Sequence, residues 1–324
     1  MNSLVCSAYC TNITPMARLV IVGAGPIGTW VAQAALDDGV VDAIVGVVDP
    51  DDGARRELVA STGAPGYATT VQLPRAERGD VALVVFASAA EKVAPEIIRL
   101  VSAGYDVVTT CEGLMWAPRH LWDAMHTSAR SDGRRIVVTG ANPGFAMDRL
   151  PLLLAGASRE VNRIIVERSM DTSTCRPSLI AKSGRGLTAE EFSSQVLAGR
   201  VGHKGLDSSA RLIARGLEWS HTEVTHDITP IIQDGKTVGA RHEARLSGGD
   251  DRTIELGLTM AWQIEEPFDR ITIEGTPPLT VEIPGGYAID DGTAAHVVAG
   301  IRHCASLTPG FYRPTDLPLR FGAT

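Results

Sequence analysis

The sequence has no long apolar run and no excess of positive charge. Its longest apolar stretches, such as Val81 to Ala90, have the length of a strand, whereas a membrane-spanning helix needs about 18 residues or more. The sequence has 30 Lys and Arg residues and 38 Asp and Glu residues, a formal net charge of −8. This is the wrong sign for a protein that binds the phosphate backbone of a nucleic acid. We therefore expect neither a membrane nor a nucleic acid as partner.

Cysteine is also scarce. Because the five cysteines are scattered and odd in number, they predict free thiols in a reducing, cytoplasmic environment and not a disulfide framework; they are Cys6, Cys10, Cys111, Cys175 and Cys304. No second Cys or His pair lies near Cys6 and Cys10, so no metal site is predicted. Apolar residues make up 44% of the 324 residues, a composition typical of a folded chain of two domains or one large α/β unit.

The first half of the chain alternates short apolar runs with helical patterns. Near-continuous runs such as Leu19 to Val22 and Ile136 to Thr139 are typical of strands buried on both faces of a parallel sheet, so we predict an α/β fold with a doubly wound Rossmann sheet. After Leu150 the strand-like stretches alternate polar and apolar residues, which indicates a second, α+β domain with a solvated sheet face.

Four segments follow from these patterns. Residues 1–15 are expected to be an N-terminal extension and residues 16–148 a dinucleotide-binding domain, which the C-terminal segment 290–324 completes. Residues 149–289 are expected to form the α+β domain for substrate binding and dimerisation, because a one-sided sheet has a face to cover.

A glycine-rich turn lies between the first predicted strand and helix. Gly23, Gly25 and Gly28, with Pro26 and Ile27 between the last two, form the pattern that permits a tight turn, a close approach of a pyrophosphate and close packing of helix on strand. Asp49 ends the next strand, where an acid can accept hydrogen bonds from the adenosine ribose. Together they predict a dinucleotide site, although a bare βα turn that binds nothing is the alternative for the glycines.

The choice between NAD and NADP stays open. Asp49 and the neighbouring Asp51 and Asp52 should repel a 2′-phosphate, whereas Arg55 or Arg56 could bind one. It is an equally good interpretation that both arginines are ordinary solvated side chains at the start of a helix. The predicted cofactor is therefore NAD(P).

Three further turns follow the carboxyl ends of predicted strands. Because ligands of open α/β sheets bind outside these ends, we expect the nicotinamide to contact Ala87, Ser88, Cys111, Asn142 and Pro143. Glu112 is the ionisable residue there and is predicted to be a general acid/base, with a pKa raised by partial burial. The alternative is that Glu112 caps the next helix or pairs with an arginine.

Several segments resemble the 2,4-diaminopentanoate dehydrogenases and the related native amine dehydrogenases. The resemblance runs from about Arg18 to Pro318, and its most specific part combines Cys111-Glu112 with Asn142-Pro143-Gly144. It rests on the segments Val108–Glu112, Gly140–Phe145 with Asp148, Val166–Arg168, Lys182–Thr188, Val201–His203, Thr293–Ala295 and Asp316–Pro318.

The resemblance implies a fold similar to dihydrodipicolinate reductase. It also implies reversible NAD(P)-dependent oxidation of an amine, or reductive amination of a ketone or aldehyde with ammonia, by a homodimer with Glu112 as the catalytic group. Gly113 and Ala288 differ from the family pattern and bear on the substrate more than on the reaction.

Candidate substrate-pocket residues are Phe145, Met147, Met170 and His203, although core packing is the alternative for the first three. Lys182 or Arg185 could bind a substrate carboxylate or simply be solvated. Two other functions remain open at this point: reduction of a cyclic imine or a carbonyl without ammonia, and a non-catalytic dinucleotide sensor.

Overall fold

The computed structural model describes residues 17–85, 89–249 and 251–318. Within these ranges the chain forms two β-sheets with helices packed against them. The predicted extension 1–15 lies outside the described residues. The strands are β1 Ala17–Val22, β2 Val41–Val48, β3 Gly66–Tyr67, β4 Asp80–Val84, β5 Asp106–Thr109, β6 Arg135–Val138, β7 Glu160–Asp171, β8 His221–Gln233, β9 Lys236–Gly248, β10 Thr253–Ala261, β11 Phe268–Thr276, β12 Leu279–Pro284 and β13 Gly310–Tyr312.

The helices are distributed between the two sheets. They are α1 Pro26–Asp37, α2 Asp52–Thr62, α3 Ala90–Ser102, α4 Glu112–Met115, α5 Arg119–Ser131, α6 Arg149–Ala155, α7 Pro177–Lys182, α8 Ala189–Leu197, α9 Leu206–Gly216 and α10 Ile289–Cys304. None of the helices in the described ranges is long and apolar enough to cross a bilayer.

The first sheet is parallel and has the strand order β13-β6-β5-β4-β1-β2-β3. Its central strands are buried on both faces, because α3 and α5 pack on one side and α1 and α10 on the other. β1 lies between β2 and β4, so the chain leaves it in opposite directions and opens a crevice at the carboxyl ends of these strands. The predicted α/β fold with a doubly wound sheet is confirmed.

The C-terminal part returns to this first sheet. Helix α10 packs beside α1, and β13 adds an edge strand next to β6. This arrangement agrees with a first domain completed by the C-terminal segment. The domain boundaries themselves stay a prediction.

The second sheet has the order β12-β11-β7-β10-β9-β8 and is antiparallel except for the pair β7 and β10. Its inner face packs against α6 and α9, and its outer face carries charged residues, so buried and exposed positions alternate along β9 and β10.

The sequence analysis missed β9 and β12 in this sheet and the short helices α6 and α7. β9 was missed because its inner positions are mostly small or polar: Ala240, His242 and Ala244 precede the larger Leu246. Such a strand lacks the branched apolar residues that reveal a strand in a sequence.

Candidate active site

The glycine-rich turn has the geometry of a phosphate-binding loop. Gly23 has φ +111°, and a Cβ on Gly28 would lie 2.0 Å from the Gly23 carbonyl oxygen, so a side chain at either position would strain the turn. A Cβ on Gly25 would meet nothing within 4 Å. Helix α1 begins at Pro26 with no acidic residue in its first turn, so its amino end can receive a pyrophosphate.

Asp49 connects the second strand to this turn. Its Oδ2 accepts a hydrogen bond from the Ala24 backbone N–H at 2.7 Å, and its Oδ1 accepts one from the Asp51 N–H at 2.8 Å. Each carboxylate oxygen keeps a second lone pair, so the fixed carboxylate can still accept bonds from ribose hydroxyls.

Arg55 folds back onto the same turn. Its guanidinium donates to the Asp49 carbonyl oxygen at 2.5 Å and pairs with the Asp52 carboxylate, which also pairs with Arg56. These contacts fit the interpretation as a helix start, and a role for Arg55 in cofactor binding stays a prediction.

The turn after β6 is held by a buried carboxylate. The Asn142–Pro143 peptide bond is cis. Asp148 Oδ2 accepts bonds from the Gly144 N–H and the Ser209 hydroxyl, both at 2.8 Å, and thereby ties the turn to α9 of the second domain. Burial raises the pKa of Asp148, against the effect of these hydrogen bonds.

Asn142 Nδ2 lies 3.5 Å from the Met147 sulfur, whereas Asn142 Oδ1 is buried without a hydrogen-bond partner among the described residues. A buried carbonyl oxygen of this kind suits a ligand amide. The open Gly25, the amino end of α1, fixed Asp49 and unpartnered Asn142 Oδ1 together fit a nicotinamide dinucleotide.

Glu112 stands at the junction of the two domains. It is the first residue of α4, and its Oε1 lies 3.4 Å from Lys182 Nζ on α7. Burial raises the pKa of the Glu112 carboxyl, and the Lys182 ammonium opposes that rise. The Glu112 side chain is 31% exposed, so its carboxyl can reach a ligand and exchange a proton with it.

A cavity of about 40 Å³ opens in front of Glu112. It is lined by Glu112, Asn142, Arg168, Met170, Arg176, Leu179, Lys182, His203, Leu258, Met260 and Ile289. Four of the predicted site residues therefore meet here: Glu112, Asn142, Met170 and His203. Cys111 precedes Glu112 and is buried, and its N–H donates to the Thr109 hydroxyl.

Other predicted site residues lie elsewhere. Phe145 packs against Tyr287 and His296, whose rings are 5.3 Å and 4.4 Å from it, and Met147 is fully buried beside Asn142. Ala87 and Ser88 lie outside the described residues.

The sequence analysis did not predict that Arg168 and Arg176 line this cavity. Arg168 forms an ion pair with Asp269 in which its Nη1 donates to both carboxylate oxygens, at 2.9 and 2.8 Å, and each side chain is 3% exposed. Arg176 pairs with Asp290 at the start of α10. Arg168 lies in a segment used for the family resemblance, but only the strand register shows that Asp269 is opposite. Lys182, for which substrate contact and solvation were both left open, contacts Glu112.

Comparison with known proteins agrees with this arrangement. The model of the family described as 2,4-diaminopentanoate dehydrogenase C-terminal domain matches residues 145–323, more than half of the chain. The chain belongs to this family. The predicted resemblance is thereby confirmed.

Relatives extend the similarity to the whole chain. A 2,4-diaminopentanoate dehydrogenase from Acetoanaerobium sticklandii is 26% identical, over 93% of both proteins. The structure of an amine dehydrogenase from Mycobacterium smegmatis superimposes with a TM-score of 0.81 at 19% identity, over 95% of this chain and 98% of that one. The WlbA dehydrogenase from Chromobacterium violaceum, in complex with NADH and UDP-GlcNAcA, gives a TM-score of 0.57 at 16% identity over 84% and 75%.

Proposed function

We propose that this member of the 2,4-diaminopentanoate dehydrogenase family is an NAD(P)-dependent amine dehydrogenase. It oxidises an amine to a ketone or aldehyde and ammonia, and it catalyses the reverse reductive amination. The observation that carries the proposal is the position of Glu112, a partly buried carboxyl at the carboxyl ends of the parallel strands and beside Lys182. The names of the Acetoanaerobium and Mycobacterium relatives support the same reaction.

The cofactor site is formed by the first sheet. The turn from Gly23 to Gly28 would hold the pyrophosphate, Asp49 the adenosine ribose, and Asn142 the carboxamide of the nicotinamide. The bound nicotinamide supplies the acceptor or donor of hydride at its C4 position.

In amine oxidation Glu112 performs the proton chemistry. Its carboxylate accepts a proton from the substrate ammonium and so frees the nitrogen lone pair, which then forms the C=N bond as the carbon loses hydride. Water adds to the iminium carbon, and the Glu112 carboxyl gives its proton to the nitrogen and recovers one from the added water as the carbonyl forms. Ammonium then leaves, and Glu112 remains protonated. Lys182 keeps the Glu112 side chain in place.

We further propose a homodimer in which the outer face of the second sheet is covered by a second copy. This face bears charges of both signs in alternation, among them Arg163, which pairs with both Glu255 and Glu274. A surface with both charges in alternation can be self-complementary about a two-fold axis. In the described part of the chain Cys111, Cys175 and Cys304 form no disulfide, which supports a reducing, cytoplasmic location.

The experiment that tests the function is a panel of amines with NAD and with NADP, followed by the absorbance of the reduced nicotinamide. The reverse direction is run on the matching ketones with and without ammonium. We expect oxidation of at least one amine and a strict requirement for ammonium in reduction. Reduction without ammonium would instead indicate an imine or carbonyl reductase, and cofactor binding without any turnover would indicate a sensor.

A further inference from the structure

A second buried histidine lies behind the cavity wall. His242 is in the middle of β9 with its side chain on the inner face, and it is 4% exposed. In the sheet it lies between Leu258 of β10, which lines the cavity, and Ile228 of β8. His242 thus occupies the strand between the cavity and the edge of the sheet.

The ring nitrogens on this side of the cavity have no protein partners. Neither Nδ1 nor Nε2 of His242 makes a hydrogen bond to any described residue, and the same holds for Nε2 of His203, which lines the cavity and is 6% exposed. Buried polar atoms in native proteins are nearly always bonded to protein or to ordered water. Three such atoms on the cavity side of this sheet therefore indicate ordered water beside the rings.

The line of rings continues to the surface. His226 lies on the edge strand β8, is exposed, and its ring centroid is 6.2 Å from that of His242. The loop that carries His203 packs on the same strand, because a Cβ on Gly202 would lie 2.4 Å from Ile228 Cδ1. Imidazole rings thus lead from the cavity across β9 to the solvent at β8.

We propose that His203, His242 and His226 line a water-bridged path along which the proton released by amine oxidation leaves the active site. The proposal rests on the proposed function. Oxidation of a substrate ammonium by NAD(P) with water yields the carbonyl product, ammonium, NAD(P)H and one proton. That proton remains on Glu112 after ammonium leaves, and the path returns it to solvent so that Glu112 is ready for the next turnover.

The charges around His242 suit this role. Burial, followed by the neighbouring His203 and His226, lowers the pKa of His242 to about 4, while Asp207 of α9 and Asp227 of β8 oppose the shift; β10 contributes the apolar Leu258. Burial, Lys182 and Arg168 lower the pKa of His203 to about 3. Both rings are neutral at the pH of the reaction, so each can accept a proton on one nitrogen and donate one from the other.

The test compares His242→Phe, which fills the space but cannot carry a proton, with His242→Gln, which keeps hydrogen bonding without titration. The rate of amine oxidation is measured at saturating substrate in low and high imidazole at constant ionic strength. We expect both variants to lower kcat about 10-fold or more in low imidazole with an unchanged KM, and high imidazole to restore kcat. His126→Gln, on α5 beside Trp122, is the control and should match the wild type.

A loss of kcat that imidazole does not restore, or no loss at all, would overturn the path. A second readout does not depend on turnover: exchange of the His242 ring N–H with deuterated solvent, followed by NMR of the histidine side chains in the wild type. Rapid exchange supports the water-bridged path, and protection comparable to core amides refutes it. If the wild type oxidises no amine, the proposed function fails, while this exchange measurement still decides whether the path exists.

Discussion

The two sheets contribute to the site in opposite ways. The first sheet presents turns at the ends of its strands, and these turns offer backbone N–H groups, glycines and short side chains such as Asp49 and Asn142. The second sheet presents the middle of its strands, from which long polar side chains point into a buried face. A crevice at strand ends suits a large cofactor that must enter and leave, whereas a buried face suits a small substrate whose position must be fixed.

One row across the second sheet contains three of its buried polar residues. Across five neighbouring strands, the cross-strand register aligns a single row of residues that runs from the edge strand to the buried ion pair: Ile228, His242, Leu258, Arg168 and Asp269. Buried charges are stable only when they are paired, and Arg168 and Asp269 satisfy this condition within the row. The half of the site formed by the first sheet therefore depends on turn geometry, whereas the half formed by the second sheet depends on strand register.

The largest effect is expected at Glu112, where the two halves meet. Glu112→Gln keeps the shape and an amide but removes the proton that the reaction transfers, so kcat for amine oxidation should fall by roughly 10² to 10⁴. Cofactor affinity, measured by fluorescence quenching, should be unchanged because Gly23 to Gly28 and Asp49 hold the dinucleotide. Near-normal turnover would show that Glu112 only starts helix α4 and is not the acid/base of the reaction.

Breaking the buried pair tests the second sheet alone. Asp269→Ala leaves the Arg168 guanidinium unpaired at 3% exposure, so the free energy of unfolding should fall by about 3 to 5 kcal/mol. The double variant Arg168→Met with Asp269→Leu should recover most of this loss in chemical denaturation, yet cofactor affinity should be normal in both. A single variant as stable as the wild type would show that the pair is not as dry as its burial indicates.

Substitutions of two glycines in the first sheet distinguish effects on stability from effects on cofactor binding. Gly25→Ala adds a Cβ that meets no protein atom within 4 Å, so stability should change by less than about 0.5 kcal/mol. The same methyl group occupies the approach of the pyrophosphate, and cofactor affinity should fall about 10-fold. Gly28→Ala places its Cβ against the Gly23 carbonyl and should destabilise the protein by about 1 to 3 kcal/mol. Equal stability losses in the two variants would contradict this division.

The smallest effect concerns the choice of cofactor. Asp49→Asn keeps one of the two oxygen acceptors that bond the turn and removes the charge that repels a 2′-phosphate, so the ratio of NADP to NAD affinity should rise several-fold, roughly 3 to 10. Arg55→Ala should lower that ratio if the guanidinium leaves Asp52 to bind a phosphate. Dissociation constants for both cofactors check the two variants, and a parallel loss for NAD and NADP would argue against both assignments.

Much of the first sheet could be predicted because its information is local. A run such as Leu19 to Val22 followed by Gly23, Gly25 and Gly28 specifies a strand, a turn and a helix within a dozen residues, and Glu112 follows directly from the end of β5. Tight turns allow few conformations and few residue types, so the residues of such a turn reveal its geometry.

The second half of the site depended on tertiary structure. Arg168 and Asp269 are 101 positions apart, and no local pattern indicates that β7 and β11 place them opposite each other. His242 lies in β9, a strand that the sequence did not reveal because its inner residues are small or polar. Lys182 contacts Glu112 only because α7 packs against the end of the first sheet.

The sequence by itself determined the parallel sheet, the dinucleotide turn and the candidate acid/base, because each is specified by residues adjacent in the chain. The tertiary structure decided which charges face that acid/base and how its pocket is lined. The physical reason is that register and packing bring together residues distant in sequence, whose burial and neighbouring charges shift the pKa values of Glu112, His203 and His242.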